Sequence, residues 1–278
     1  MKVVRHKTAT EFLARAKKWL ETAEAENNVI LGIATFFGSQ RRQLKGSPYF
    51  LTVEGNGTIV GAALMTPPRR ILITRMPDPA VTLLADHLLE EAAPVPGVFG
   101  PTAEATLFAN HWTSKTGRSC RPKMSERIYA CERVIPPVYA FGQLKPAKEV
   151  DQALLSDWCE QFCIDARIDD ETVYFKAQLP RKLADRSIFV WETDEAVSMA
   201  AIERETAHGV AISWVYTPRH LRNKGYGTAC VAALTQRMLD SGKQFCCLYT
   251  DLANPTSNSI YQKIGYRAIC DVQDWIFE

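Results

Sequence analysis

The sequence lacks any run approaching the ~18 apolar residues of a membrane-spanning helix, so no membrane segment is expected. It also lacks a strong charge of either sign, since 33 Lys and Arg stand against 31 Asp and Glu for a net +2. So small a balance argues against nucleic acid as a partner, and no basic stripe interleaved with aromatics is present. The eight cysteines form no C-x-x-C pair and no Cys/His set with zinc spacing, so no metal is expected and the thiols are expected to be reduced. Cys159 and Cys163 sit one helical turn apart; they either pair chemically or pack as small hydrophobes, the commoner role for such residues. Met1 to Lys7 has no apolar core of the kind a secretory signal needs, and the expected location is the cytoplasm.

With 278 residues the chain exceeds one typical domain, and 46% hydrophobic with 23% charged residues is ordinary for a globular protein. The apolar pattern predicts a helix over residues 10–26 and a second over 29–44, ending near Gly46-Ser47-Pro48. Two alternating runs, 49–54 and 59–65, flank Gly55-Asn56-Gly57 and read as a hairpin. A strand at 71–74, a helix at 79–92, a strand near Val98, a helix at 102–115 and a strand at 123–134 follow. Pro136-Pro137 makes a stiff joint. Beyond it come a helix at 151–164, strands at 187–192 and 196–203 around Thr193-Asp194-Glu195, and a turn at Thr206–Gly209. Arg181-Lys182 and Arg41-Arg42 read as charge pairs on solvated faces, and His208 and His220 as turn and loop histidines.

The rest of the chain is organised around residues 210–241. Val210, Ile212, Trp214 and Tyr216 alternate with Ala211, Ser213, Val215 and Thr217, which predicts a half-buried strand ended by Pro218. From about Asn223 the period becomes helical and runs to Gly242. Between them lies Arg222-Asn223-Lys224-Gly225-Tyr226-Gly227. A glycine-rich turn opening a helix leaves amides and the positive end of the helix dipole free for an anion such as phosphate. Arg219, Arg222 and Lys224 add positive charge at its rim. Alone, such a turn is a weak signal.

A second segment, Leu248 to Tyr266, follows at a set distance: a strand, the loop Ala253-Asn254-Pro255, a short helical stretch with Asn258 and Tyr261, and Gly265-Tyr266. Together, R-x-x-G-x-G after V-Y-T-P and this second segment resemble the GNAT family of acyl-CoA-dependent N-acetyltransferases, over Phe141 to Glu278. One departure is the spacing of four from Pro218 to Arg222, where many members have three. The resemblance implies that acetyl-CoA is the co-substrate, its pyrophosphate held by Arg222, Asn223, Lys224, Gly225, Tyr226, Gly227 and Thr228. It implies that backbone groups of Val215, Tyr216 and Thr217 meet the pantetheine arm and polarise the thioester. Asn254 and Asn258 match cofactor-contacting positions, although Asn254 also suits a helix N-cap before Pro255 and Asn258 a solvent-facing helix position. Tyr261 matches the tyrosine near the CoA sulfur and is the candidate general acid, or else a packing residue. Glu203, expected across from about Ile212, is the candidate general base, with Asp251 and water as alternatives.

The order of elements in the first half is similar to the same plan, but its turn reads Thr74-Arg75-Met76-Pro77-Asp78-Pro79-Ala80. Two prolines remove amide donors and no glycine admits a phosphate. The expected architecture is therefore α/β (α+β): two tandem GNAT-like units, each a mixed, mostly antiparallel sheet flanked by helices. Residues 1–135 form a degenerate unit and 141–278 the acetyltransferase unit. The expected activity is acetyl transfer from acetyl-CoA to a primary amine, a small molecule before a protein. The alternative is a non-catalytic CoA-binding sensor or interaction module.

Overall fold

The computed structural model describes residues 1–39, 48–138 and 140–278. The chain runs β1 (Lys2–His6), α1 (Ala9–Leu20), α2 (Asn28–Ser39), β2 (Tyr49–Gly55), β3 (Thr58–Met65), β4 (Ile71–Ile73), α3 (Asp78–Glu90), β5 (Gly97–Pro101), α4 (Thr102–Thr116) and β6 (Cys120–Cys131). It continues through β7 (Gln143–Pro146), α5 (Gln152–Asp165), α6 (Thr172–Ala184), β8 (Ile188–Glu192), β9 (Ala196–Glu205), β10 (Gly209–Tyr216), α7 (Tyr226–Asp240), β11 (Phe245–Asp251), α8 (Pro255–Lys263) and β12 (Arg267–Phe277). The expected end of the second helix near residue 44, and Arg41-Arg42, lie outside the described residues.

Two compact units result: Met1–Ile128 with Ile269–Glu278, and Tyr129–Ala268. A division at 135/141 puts the last strand in the second unit, whereas the structure seats it in the first. The reason is pairing and packing. Residues Val272 to Ile276 pair antiparallel with Pro101 to Gly97 of β5. Arg127 of β6 grips Asp271 with two hydrogen bonds of 2.6 and 2.8 Å. Phe277 stacks on Trp112 and Phe108 of α4 at 5.8 and 6.5 Å between ring centroids.

In the first unit, β1 to β4 pair antiparallel in turn and β4 pairs parallel with β5. That parallel step requires a crossover, which α3 supplies. Helices α1 and α2 cover one face by packing Phe12, Leu20 and Leu31 around Phe50 of β2; α3 and α4 cover the other through Leu84, Leu88 and Phe108. Thr8 caps α1 by accepting from the Glu11 amide at 3.1 Å.

In the second unit, β7 to β10 pair antiparallel, and β10 pairs parallel with β11 through α7. One face is packed by α7 and α8 through Ala229, Leu234 and Tyr261, and the other by α5 and α6 through Leu155, Trp158, Leu179 and Leu183. The stretch Arg167–Pro180, which reads as a loop in sequence, contains most of α6, with Pro180 inside the helix. Proline removes one helical hydrogen bond, and Leu179 and Leu183, both buried, hold the helix through it. The turn from Thr206 to Gly209 forms as expected, closed by the Thr206 amide on the Gly209 carbonyl at 3.0 Å.

Candidate active site

The strand at the centre of the second unit is broken in two ways. Its parallel ladder with β11 joins Gly209–Ala211 to Phe245–Cys247 and goes no further. From Ile212 onward, backbone groups on that edge of β10 have no β11 partner. On the other edge, Ser213 and Tyr216 face Ala201 and Met199 of β9, so Trp214 and Val215 together oppose one residue. This is a β-bulge, and Trp214 takes φ +56 there. A bulky residue with positive φ is a backbone outlier, sustained only where its surroundings enforce it.

The bulge also corrects the simple alternation. Val210 and Ile212 pack on the α7 side, as alternation requires, but Trp214 and Tyr216 pack on the α5–α6 side. Val215 instead joins the α7 side. An inserted residue in a period-two pattern swaps every later side chain to the opposite face.

Beyond Tyr216 the chain passes Pro218 and takes up the extra residue of the Pro218–Arg222 spacing in a 3₁₀ turn, Arg219–Leu221. Asn223 and Gly225 then both adopt left-handed conformations, φ +63 and +82. Gly225 is the N-cap of α7, which has neither a side-chain cap nor an acidic residue in its first turn. Its first amides are therefore left for an external acceptor. Gly227 has a separate role: a Cβ there would stand 3.0 Å from Thr217 Oγ1, so glycine lets α7 start close against the strand end. Thr217 Oγ1 is itself bonded to Ser198 Oγ at 2.9 Å, and Ser198 Oγ donates to the Tyr216 carbonyl at 2.9 Å.

The arginines of the turn are already engaged. Asp165, at the end of α5, accepts from Arg219 Nη2 at 2.7 Å and from Arg222 Nη2. Arg222 Nε also donates to the Thr217 carbonyl at 3.0 Å. Burial works against the Asp165 charge, but the hydrogen bonds and charges of both arginines outweigh it and hold its pKa below the ordinary carboxylate value. The charge left at the rim is Lys224, which is exposed. Thr228 and Tyr226 lie half-buried in the first turn of α7.

On α8, Tyr261 is 7% exposed and packs with Ile212, Leu248 and Ala229. Its ring meets Tyr266 at 5.9 Å, and burial raises its pKa to about 12. Its hydroxyl has no hydrogen-bond partner among the described residues. Asn254 is the N-cap of α8, accepting from the Ser257 amide at 3.1 Å. Asn258 Nδ2 donates to the carbonyls of Asp251 and Asn254 at 3.0 and 2.7 Å, and its Oδ1 accepts from Tyr129 at 3.0 Å. Both asparagines thus hold the β11–α8 loop in shape. Asp251 is taken up in a turn, accepting from the Ala253 amide at 2.8 Å.

Residues 192–276 match the family model described as FR47-like protein. No curated protein matches the chain. Among solved structures, a GNAT-family acetyltransferase from Colwellia psychrerythraea shares 12% identity, with 100% of this chain and 99% of that chain covered and a TM-score of 0.59. A GCN5-related N-acetyltransferase from Sphaerobacter thermophilus shares 15%, with coverage of 99% and 95% and a TM-score of 0.63. A tandem GNAT protein from the clavulanic acid biosynthesis pathway shares 11%, with coverage of 100% and 98% and a TM-score of 0.57. This is a tandem GNAT fold.

The two GNAT units differ where the turn should receive an anion. In the first, the buried Met76 (5% exposed) fills the turn after β4. Pro77 is the N-cap of α3, and Asp78 puts a carboxylate in its first turn. A negative charge at a helix N-terminus takes the place an anion would need. Arg75 points instead to Glu26, at 3.3 Å.

In the second GNAT unit, Glu203 is not directly opposite Ile212: Arg204 and Ile202 face Ala211 and Ile212, leaving Glu203 as the extra residue of a second bulge on β9. Its carboxylate pairs with Lys182 Nζ at 3.0 Å. Burial opposes its ionisation, but the charges of Lys182 and Arg204 prevail and lower its pKa. Lys182, which reads in sequence as half of a solvated charge pair, is 8% exposed. Arg181 does face solvent, with Asp185 at 3.2 Å. Sequence reasoning thus missed Asp165, Lys182 and Tyr129. Among the described residues no group of three or more His, Cys, Asp and Glu is arranged to hold a metal ion, and no helix is long and apolar enough to cross a membrane.

Proposed function

We propose that the second unit is an N-acetyltransferase that moves acetyl from acetyl-CoA to the primary amine of a small molecule. The observation that carries this reading is the run from the Trp214 bulge through the uncapped α7 N-terminus. An edge of strand without a partner leads directly into an anion-receptive helix start. A ligand with a peptide-like arm and a pyrophosphate has the chemistry to satisfy both. The amides of Gly225, Tyr226, Gly227 and Thr228 would hold the pyrophosphate, with Lys224 adding charge, and the backbone of Val215, Tyr216 and Thr217 the arm.

Acetyl-CoA supplies the acyl group as a thioester. Fixed backbone donors at the bulge stabilise negative charge as it develops on the carbonyl oxygen, a contribution of a few kcal/mol in comparable sites. Tyr261 supports protonation of the departing thiolate: with its pKa near 12 it is protonated at neutral pH and carries an uncommitted O–H. Glu203 fits a base less well, because the charges of Lys182 and Arg204 hold it ionised and a depressed pKa makes it a weak proton acceptor. The amine proton then leaves to water.

The test is thiol release from acetyl-CoA across a panel of small amines. Amine-dependent release that disappears in Gly225→Val supports the proposal. Tight CoA binding with no release for any amine rejects it and leaves a CoA-binding sensor.

A further inference from the structure

Two bulges lie on adjacent strands, and one buried cation joins them. Lys182, near the C-terminus of α6, donates to the Ile202 carbonyl at 2.6 Å and pairs with Glu203 at 3.0 Å. The same ammonium lies 5.1 Å from the centroid of the Trp214 ring. Trp214 is 1% exposed, and its ring lies tilted against that of Phe175 of α6, 4.9 Å between centroids. Each contact falls on a feature that regular strands do not have: Glu203 is the extra residue of one bulge, and Trp214 is the left-handed residue of the other.

A left-handed tryptophan does not stay put without restraint. Its side chain is the handle, and the Lys182 ammonium and the Phe175 ring hold that handle, while the Glu203 carboxylate anchors the ammonium. A lone buried carboxylate is costly unless a cation neutralises it, and Lys182 is that cation. Lysine suits the position because its single charged head can meet a carbonyl, a carboxylate and a ring face at once.

We infer that Lys182 is a positioning residue for acyl transfer: anchored by Glu203 and the Ile202 carbonyl, it fixes the Trp214 ring, and thereby the bulge whose amides face the thioester carbonyl. This rests on the reading of the second unit as an acetyltransferase. It also gives Glu203 a structural office in place of a proton-accepting one, and it makes α6 a part that sets the geometry of the reacting strand.

The experiment uses the full chain, acetyl-CoA and the best amine of the panel. It reads kcat and KM by thiol release and CoA affinity separately by calorimetry. Trp214→Phe keeps a ring against Phe175 and shortens its reach toward Lys182. Lys182→Met deletes the ammonium, and Lys182→Arg restores a cation. Both Trp214→Phe and Lys182→Met are expected to lower kcat at least about tenfold, about 1.4 kcal/mol of barrier. CoA affinity should fall by less than kcat does, because the phosphate turn is untouched and only the arm meets the bulge. Lys182→Arg should recover most of the loss, and Glu203→Gln should leave the acid limb of the kcat–pH profile where it is. An unchanged kcat in folded Lys182→Met, or in Trp214→Phe if the lysine variant does not fold, overturns the inference. So does loss of the acid limb in Glu203→Gln, which would make Glu203 the base. A wild-type protein that releases no thiol with any amine instead sinks the acetyltransferase reading, and this inference goes with it.

Discussion

Replacing Gly225 with valine tests the turn on which the functional reading depends. Gly225 sits at φ +82, and an added Cβ would meet nothing nearer than Ala140 Cβ at 3.7 Å, so space is not the obstacle. Conformation is. A side chain in the left-handed region costs about 1–2 kcal/mol, and a β-branched one no less. For a protein of this size that corresponds to a fall of roughly 2–8 °C in Tm, which the fold survives. If the turn relaxes to a negative φ, the first amides of α7 rotate away from a common focus. Losing two charge-assisted hydrogen bonds to pyrophosphate, at about 1.5–3 kcal/mol each, weakens CoA binding by about 3–6 kcal/mol, or roughly 10²–10⁴ in Kd. Calorimetric titration of CoA into the variant, with cooperative melting confirmed by circular dichroism, measures both effects. A Kd within threefold of wild type in a cooperatively folded variant would refute the assignment of this turn to phosphate.

Tyr261→Phe removes one oxygen from a side chain with no hydrogen bond to lose; kcat should fall by roughly 10²–10⁴, the reach of a positioned general acid, with Tm and CoA affinity nearly unchanged. A drop in Tm with normal turnover would make Tyr261 a packing residue. Calorimetry should find one CoA per chain, since Met76 and Asp78 occupy the corresponding turn of the first unit; a stoichiometry of two contradicts that account. Asp165 has a depressed pKa in the folded state, so its contribution is present above the unfolded value of about 3.9 and is lost as pH falls through the folded pKa. Asp165→Asn should therefore be less stable than wild type at pH 7, with the gap closing in melts below about pH 4; a gap that stays constant to pH 3 is the contrary result.

The turn at Gly225 was legible because its chemistry is local: glycine, glycine and a preceding proline mark a conformation few other residues adopt. The bulge beside it was not. Val210, Ile212, Trp214 and Tyr216 are all buried, so their types continue an alternation that their side chains abandon at Trp214. Glu203 could be placed near the reacting strand by counting back from the Thr206–Gly209 turn. Its partner Lys182 could not, because a lysine next to Arg181 looks the same in sequence whether it faces water or a buried carboxylate. Helix α6 was hidden by Pro180, a residue whose usual effect is to end a helix. Asn254 and Asn258 stood at family positions, yet their hydrogen bonds are spent on the loop they belong to and on Tyr129 of β6, a distinction that needs coordinates.

The seating of residues 269–278 in the first unit makes the order of synthesis matter. While the ribosome makes residues 129–268, at about 5–20 residues per second, the first unit waits some 7–28 s for its missing strand. During that interval the Gly97–Pro101 edge of β5 is without the partner it has in the finished fold. Phe108 and Trp112 lack the ring of Phe277 that later stacks on them. An open strand edge beside uncovered aromatics invites pairing with another chain. The first unit, begun before the second, is thus completed after it, and chains stalled before Ile269 should show the β5 amides that face β12 unprotected from hydrogen exchange. Damage to residues 269–278 would be felt in the unit built from residues 1–128.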